Sequence, residues 1–180
     1  DLLRSMGFAL YRILVPILAT ILIAARSGAA VASDVGNKTY GHQTDAMRTL
    51  RANPRAYLLT TILYAFLLGT PFLLLIGYVI ATGTSLFAFV ATHPDHGAMF
   101  WHLHYYRELL VPGQWWFEGT EWLLAKTLIC AAGIGLISYH RGVRPKSSGR
   151  DVSDGITSTI LWSTLLVLIV HFAFSFYEFD

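Results

Sequence analysis

Residues Ala24–Leu58 read AARSGAAVASDVGNKTYGHQTDAMRTLRANPRAYL and join two long apolar runs. The first part of this stretch, up to Ser33, consists almost entirely of small residues, which let helix backbones approach closely inside a membrane. The part from Asp34 onward is polar and contains four cationic residues, Lys38, Arg48, Arg51 and Arg55. A positively charged connection between two apolar runs predicts a cytoplasmic loop between two membrane-spanning helices.

A short helix is predicted inside this loop, from His42 to Leu50, with Ala46, Met47 and Leu50 on one face. The helix should end before Asn53-Pro54, because proline disfavours the helical conformation at the residue before it. A short amphipathic helix beside the membrane is suited to docking a soluble partner.

The composition predicts an integral membrane protein. Of the 180 residues, 54% are hydrophobic and 13% are charged, whereas soluble domains contain about 25% charged residues. A spanning helix takes about 20 mostly apolar residues, and four stretches meet that length or approach it. They are residues 8–33, 57–82, 122–139 and 156–176. The expected fold is a single all-α membrane domain over residues 1–180, with Pro71 as a kink in the second span.

The placement of lysine and arginine predicts the orientation of these four spans. Segment 34–56 contains four such residues and segment 140–153 contains another four, whereas segment 83–121 contains only Arg107 against four acidic residues. We therefore expect segments 34–56 and 140–153 to face the cytoplasm, and the loop 83–121 and both chain ends to face outward. Within the outer loop, a helix is predicted from Met99 to Leu110 at the outer leaflet, ended by Pro112-Gly113.

The residues from Arg12 to Pro54 resemble the permeases of the MCE-family ABC lipid transporters, the MlaE/YrbE type. That family's pattern runs roughly R-E-L-G-P, then A-G-R-x-G-S-A-x-x-A-E-x-G, then T-E-Q-x-D-A-L and a downstream D-P. The matching positions, without gaps, are Arg12, Pro16, Ala25, Arg26, Gly28, Ala29, Ala30, Ala32, Asp34, Gly36, Gln43, Asp45, Ala46, Met47, Asn53 and Pro54. His42 stands where the family has an acidic residue, and Asp34 replaces its Glu.

The resemblance implies the permease subunit of an ABC transporter that moves phospholipid or a similar lipid between inner and outer membranes. It implies a homodimer in the bacterial inner membrane, a separate cytoplasmic ATPase and a periplasmic MCE-domain protein. A lipid pocket would lie at the dimer interface, lined by the first two helices. The residues expected to couple to the ATPase are His42, Gln43, Asp45, Ala46, Met47 and Leu50. Members of this family also have an N-terminal interfacial helix and one more spanning helix, without counterpart in this sequence.

The sequence contains no G-x-x-x-x-G-K-[ST] loop, no G-x-S-x-G elbow and no H-E-x-x-H pair. We therefore expect a transport subunit rather than an enzyme, with no cofactor and no nucleic-acid partner, and ATP hydrolysis by another polypeptide.

Two alternatives remain open. The loop containing His93, His96, His102 and His104 has possible metal-ligand spacings, which would make an outward-facing metalloenzyme. The other alternative is a non-catalytic membrane scaffold.

Arg12 and Arg26 are charges inside an apolar stretch, where such residues are costly and are usually functional or paired. For Arg26 the other reading is a side chain that extends to the membrane surface, and for Arg12 it is an interfacial anchor. His171, alone on the last apolar helix, is predicted to be a hydrogen-bonded packing residue.

Overall fold

A computed structural model describes residues 2–110, 113 and 115–178, and the regular structure in this part of the chain is entirely helical. In chain order the helices are α1 (Leu2–Tyr40), α2 (Gln43–Thr49), α3 (Pro54–Thr92), α4 (Ala98–Tyr105), α5 (Thr120–Gly142) and α6 (Gly149–Glu178). Four of them, α1, α3, α5 and α6, are long and apolar enough to cross a membrane. The predicted all-α membrane fold with four spans is confirmed.

Helix α1 changes its winding twice. Its α-helical segments are Leu2–Ala9, Val15–Ile23 and Ala29–Tyr40, and between them lie π-helical turns at Leu10–Leu14 and Ala24–Gly28. A π turn accommodates an additional residue, so each one changes which side chains face the neighbouring helices. This helix contains three arginines, and two of them, Arg12 and Arg26, lie one in each π turn.

Helix α3 begins at a well-formed cap. The Asn53 side chain accepts hydrogen bonds from the backbone N–H groups of Arg55 and Ala56, and Pro54 occupies the first helical position. The helix is continuous on both sides of Pro71 and ends at Thr92. The predicted end at Thr82 is therefore too early. The residues after Gly83 are mostly apolar, so the helix continues into the segment predicted as outer loop.

Helix α4 packs one face against the bundle and is shorter than the helix predicted from Met99 to Leu110. It ends at Tyr105, and Trp101 and Tyr105 are buried in a cluster that includes Tyr11 of α1. The backbone of α4 lies so close to α1 that any side chain at Gly7 would collide with the Tyr105 carbonyl oxygen. The predicted helix stop, Pro112, lies outside the described residues.

The core of the bundle is built around α5. The central cluster contains Ile23, Ala24, Phe66, Cys130, Ala131, Ile134 and Val167. Two glycines allow the close contacts around it. A Cβ atom at Gly142 would lie 2.7 Å from Cβ of Val35, and one at Gly28 would lie 3.2 Å from Cγ2 of Ile134. The small-residue face around Gly28 therefore packs within this chain, between α5 and α6.

Candidate functional site

An apolar groove with a volume of about 290 Å³ lies between α1 and α3. Its lining residues are all apolar or glycine: Val15, Leu18, Ala19, Leu22, Ile23, Leu73, Gly77 and Ala81. The groove exists partly because Gly77 has no side chain, since a Cβ there would already contact Cγ1 of Val15 at 3.9 Å. The lining comes from the first two spanning helices, which the family resemblance implies as the walls of a lipid pocket.

The outer edge of this groove is a stripe of exposed residues that recur every four positions along α1. The stripe consists of Leu14, Leu18, Leu22, Arg26, Ala30 and Asp34. In an uninterrupted α-helix, positions four apart rotate by about 40° per step, so such a stripe would wind around the helix. The π turn at Ala24–Gly28 lies within the stripe. A π turn contains more residues per turn than an α-helix, so it reduces the rotation between positions four apart and keeps the stripe closer to one side of the helix. Leu18 and Leu22 remain 63% and 67% exposed.

Arg26 lies on this stripe with an exposed side chain. Within residues 2–110, 113 and 115–178 it makes no hydrogen bond or ion pair, so the pairing considered from the sequence is not found in the described part of this chain. Two placements remain for the guanidinium, extension to the membrane surface or contact with another chain. In both placements Arg26 points away from the core.

Arg12 occupies a buried ionic cluster instead of an interface with lipid. Its Nε donates to Oε1 of Glu178 at 2.8 Å, and Nζ of Lys126 donates to Oε2 of the same carboxylate at 2.8 Å. Nζ of Lys126 also donates to the backbone oxygen of Arg12 at 2.7 Å. Gly119, with φ of 80°, gives the guanidinium room, because a Cβ there would lie 2.6 Å from Nε. Sequence reasoning did not identify Lys126 or Glu178 as partners.

The other residues of the family pattern mainly position helices. Pro16 is fully buried, and a Cβ at Gly36 would lie 3.3 Å from Cγ1 of Val152 in α6. Asp34 accepts a hydrogen bond from Lys38 at 2.6 Å on the surface of α1. Pro54 begins α3. The structure therefore distributes these residues along α1 and its junction with α3 and does not gather them into one site.

Helix α2 corresponds closely to the predicted segment from His42 to Leu50. His42 adopts a left-handed conformation, with φ of 56°, immediately before the helix, and Leu50 follows its end. Thr44 is buried against the bundle, and Met47 is half-buried. Leu50 is 81% exposed, and the side chains of Gln43, Asp45 and Ala46 are exposed as well. Much of the predicted docking face is thus left uncovered by the described part of this chain.

The four histidines between His93 and His104 each lie against an aromatic ring, two of them stacked and two tilted. The ring centroid of His93 lies 4.9 Å from that of Phe89, and the rings of His96 and His104 lie 4.6 and 4.1 Å from Phe100. His102 lies against Tyr106 at 4.9 Å. Among the residues that the structure describes, no three His, Cys, Asp or Glu side chains are grouped as metal ligands would be. The arrangement therefore gives no support to the metalloenzyme alternative.

His171 is the hydrogen-bonded packing residue that the sequence predicted. Its side chain is buried between α6 and α1, where Nε2 lies 3.1 Å from Oγ1 of Thr20. The hydroxyl of Thr20 also donates to the Pro16 carbonyl oxygen at 2.7 Å. This contact attaches the last third of α6 to α1.

Comparison with known proteins places this arrangement in a family. The sequence matches the Permease MlaE family over residues 2–177. It is 28% identical to the protein TRIGALACTOSYLDIACYLGLYCEROL 1, chloroplastic, of Arabidopsis thaliana, over 98% of this chain and 50% of that protein. It is also 28% identical to a probable ABC transporter permease protein of Rickettsia typhi, over 91% of this chain and 61% of that protein.

A probable ABC transporter permease protein of Synechocystis is 26% identical over 97% of this chain and 64% of that protein. The chain therefore spans about half to two thirds of the length of these relatives. Because the family match covers nearly every residue, including the pattern from Arg12 to Pro54, the chain belongs to the MlaE permease family.

Proposed function

We propose that this chain is the permease part of an ABC transporter that moves phospholipid or a similar lipid between inner and outer membranes. The observation that carries the proposal is the α1–α3 groove, whose lining offers hydrocarbon and no polar side chain. Such a lining suits an acyl chain, because transfer of apolar surface out of water is favourable and roughly proportional to its area. The Rickettsia and Synechocystis relatives, both named as ABC transporter permeases, support the transporter class.

In this proposal two copies of the chain form a homodimer. The groove is open along the stripe that contains Leu18 and Leu22, so one copy supplies only part of an enclosed pocket. A second copy packed along the stripe would close the pocket and cover these leucines. A periplasmic MCE-domain protein would receive or deliver the lipid at the outer end. The expected location is the bacterial inner membrane, as the resemblance implies.

The proposed source of work is a separate cytoplasmic ATPase that docks on α2. The end of the bundle that carries α2 also carries the loop 143–148, since Arg48 and Val143 line one common groove. Helix α4 packs near the opposite end, against the beginning of α1. The bundle end with α2 is rich in arginine and lysine, which supports a cytoplasmic orientation for it.

A pair of glycine substitutions in α3 tests the transport groove. Gly77→Leu places a side chain into the groove, whereas Gly69→Leu makes the same change in the same helix at a position with nothing within 4 Å. The measurement is ATP-dependent lipid transfer between vesicles by the complex reconstituted with its ATPase and MCE-domain partner. We expect Gly77→Leu to abolish transfer and to reduce copurified phospholipid, and Gly69→Leu to preserve both. Equal transfer by the two variants would exclude this groove as the lipid path.

A further inference from the structure

A second, larger groove of about 640 Å³ lies at the end of the bundle that carries α2. It is lined by Arg48, Arg55, Leu59, Leu136, Tyr139, His140 and Val143. It shares no residue with the α1–α3 groove, so it is a separate site on the molecule. None of its lining residues belongs to the family pattern or to the residues expected to couple to the ATPase, although Arg48 lies in α2.

The lining of this groove changes from cationic to apolar along the helix axes. Arg55 lies in the first turn of α3, and Leu59 lies about one turn further into the span. In the same way, His140 lies in the last turn of α5, and Leu136 lies about one turn further in. The groove therefore presents polar groups at the level of the helix ends and aliphatic side chains below them.

The cations at the rim are only partly neutralised within the part of the chain that the structure describes, where Arg48 has a carboxylate partner and Arg55 has none. Arg48 forms an ion pair with Asp45, in which Nη1 lies 3.2 Å from Oδ1. The other carboxylate oxygen of Asp45 lies 3.3 Å from Nδ1 of His42. Arg55 makes no ion pair within the described residues. A third guanidinium stands close by, since Nη2 of Arg144 lies 3.5 Å from Nε2 of His140. The rim thus has an excess of guanidinium groups, which bind phosphate oxygens through paired hydrogen bonds.

We propose that this groove binds an anionic phospholipid of the adjacent leaflet, with its phosphate at Arg55 and Arg48 and an acyl chain along Leu59 and Leu136. The order of cationic rim and apolar wall matches the order of headgroup and chain in a leaflet. Basic pockets between spanning helices on the cytoplasmic side are a known setting for anionic headgroups. The bound lipid would connect the α2–α3 junction to α5, outside the transport groove.

The test measures binding of phosphatidylglycerol and of zwitterionic phosphatidylcholine to the detergent-purified full chain by native mass spectrometry. We expect phosphatidylglycerol to bind at least about five-fold more tightly than phosphatidylcholine. One basic residue near an anionic lipid contributes roughly 1 kcal/mol, which corresponds to this factor. Arg55→Gln should remove most of this preference. Arg51→Gln is the matched control, because it removes the same charge from the same connection but lies outside the groove, and it should leave the preference unchanged.

A second variant, Leu136→Trp, fills the apolar part of the groove and changes no charge. It should weaken phosphatidylglycerol binding as well, provided that size-exclusion chromatography shows a monodisperse protein. Equal losses for Arg55→Gln and Arg51→Gln would indicate diffuse charge attraction and overturn the proposal. Unchanged binding in Leu136→Trp would also overturn it, since a site for free phosphate needs no apolar wall. So would an Arg55→Gln protein that keeps its lipid preference but loses the ATPase, because the groove would then dock a protein.

Discussion

Arg12 of the first long helix is held by Glu178 at the end of the last one, with 2.8 Å between Nε and Oε1. Lys126 of α5 binds the other oxygen of the same carboxylate, so one acidic group joins three helices. The side chains of Arg12, Lys126 and Glu178 are 9%, 4% and 1% exposed. Charges inside a membrane protein persist when they are paired in this way, and the cluster therefore fixes one end of the bundle.

Glu178→Gln should destabilise the folded bundle strongly. The substitution preserves the shape of the side chain but removes the negative charge that two buried cations share. Removal of one partner from a buried ion pair typically costs about 3–5 kcal/mol. The measurement is thermal unfolding of the detergent-solubilised protein, followed by loss of helical circular dichroism. Glu118→Gln is the control, because Glu118 is exposed, and an equal melting temperature for both variants would contradict a stabilising cluster.

The orientation of the spans can be measured by cysteine labelling. Ser147 and Gly97 are both exposed, at opposite ends of the bundle. Ser147→Cys should react with an impermeant maleimide only from the cytoplasmic side, and Gly97→Cys only from the outside. The native Cys130 is fully buried, so the parent protein serves as an unlabelled control. Labelling of both positions from one side would refute the proposed topology.

Replacement of His93 and His96 together by alanine should leave metal content and lipid transfer unchanged. His93 stacks on Phe89 and His96 lies tilted against Phe100, and among the described residues neither belongs to a group of three possible metal ligands. The measurement is elemental analysis of the purified protein by mass spectrometry, beside the transfer assay. A stoichiometric metal in the parent protein that disappears in the double variant would revive the metalloenzyme alternative.

The sequence was informative where a property depends on neighbouring residues. Four apolar runs predicted the four spans, because hydrophobic length alone decides whether a helix can cross a bilayer. Asn53-Pro54 correctly marked the boundary between α2 and α3, since capping and the proline restriction act locally. The end of α3 was placed too early at Thr82. Gly83 is compatible with a helix whose apolar residues continue, and one such residue is a weak stop signal.

The sequence was less informative where a property depends on distant residues. Glu178 pairs with Arg12 across 166 positions, and no spacing rule connects two such residues before the fold is known. The π turns of α1 were also missed, because the periodicity used to recognise a helix assumes 3.6 residues per turn. The burial of Trp101 and Tyr105 was not anticipated either. Aromatic residues in a loop between spans resemble an interfacial belt unless their packing partners are known.

The docking face of α2 provides the sharpest test of the transporter hypothesis. In the proposed function, the permease receives work from a separate ATPase through a contact outside the membrane. Helix α2 joins α1 directly to α3, the two helices that line the transport groove, so a force applied to α2 reaches both walls. Met47 of α2 is only half-buried and Leu50, which follows the helix, is exposed, so the described residues leave both side chains accessible to a partner.

Met47→Asp should therefore release the ATPase and abolish lipid transfer while the permease stays folded and inserted. An anchor in a well-packed interface contributes about 2 kcal/mol or more, and its loss lowers the affinity roughly thirty-fold.

Leu50→Asp is a companion variant that disturbs the fold of this chain less. Leu50 is 81% exposed, whereas Met47 is half-buried. Met99→Asp, the same substitution at an exposed position of α4 near the opposite end, should retain the ATPase. Copurification and monodispersity are measured for all three variants. Full retention of the ATPase by both Met47→Asp and Leu50→Asp would mean that the partner docks elsewhere, with the loop 143–148 and its flanking arginines as the next surface to test.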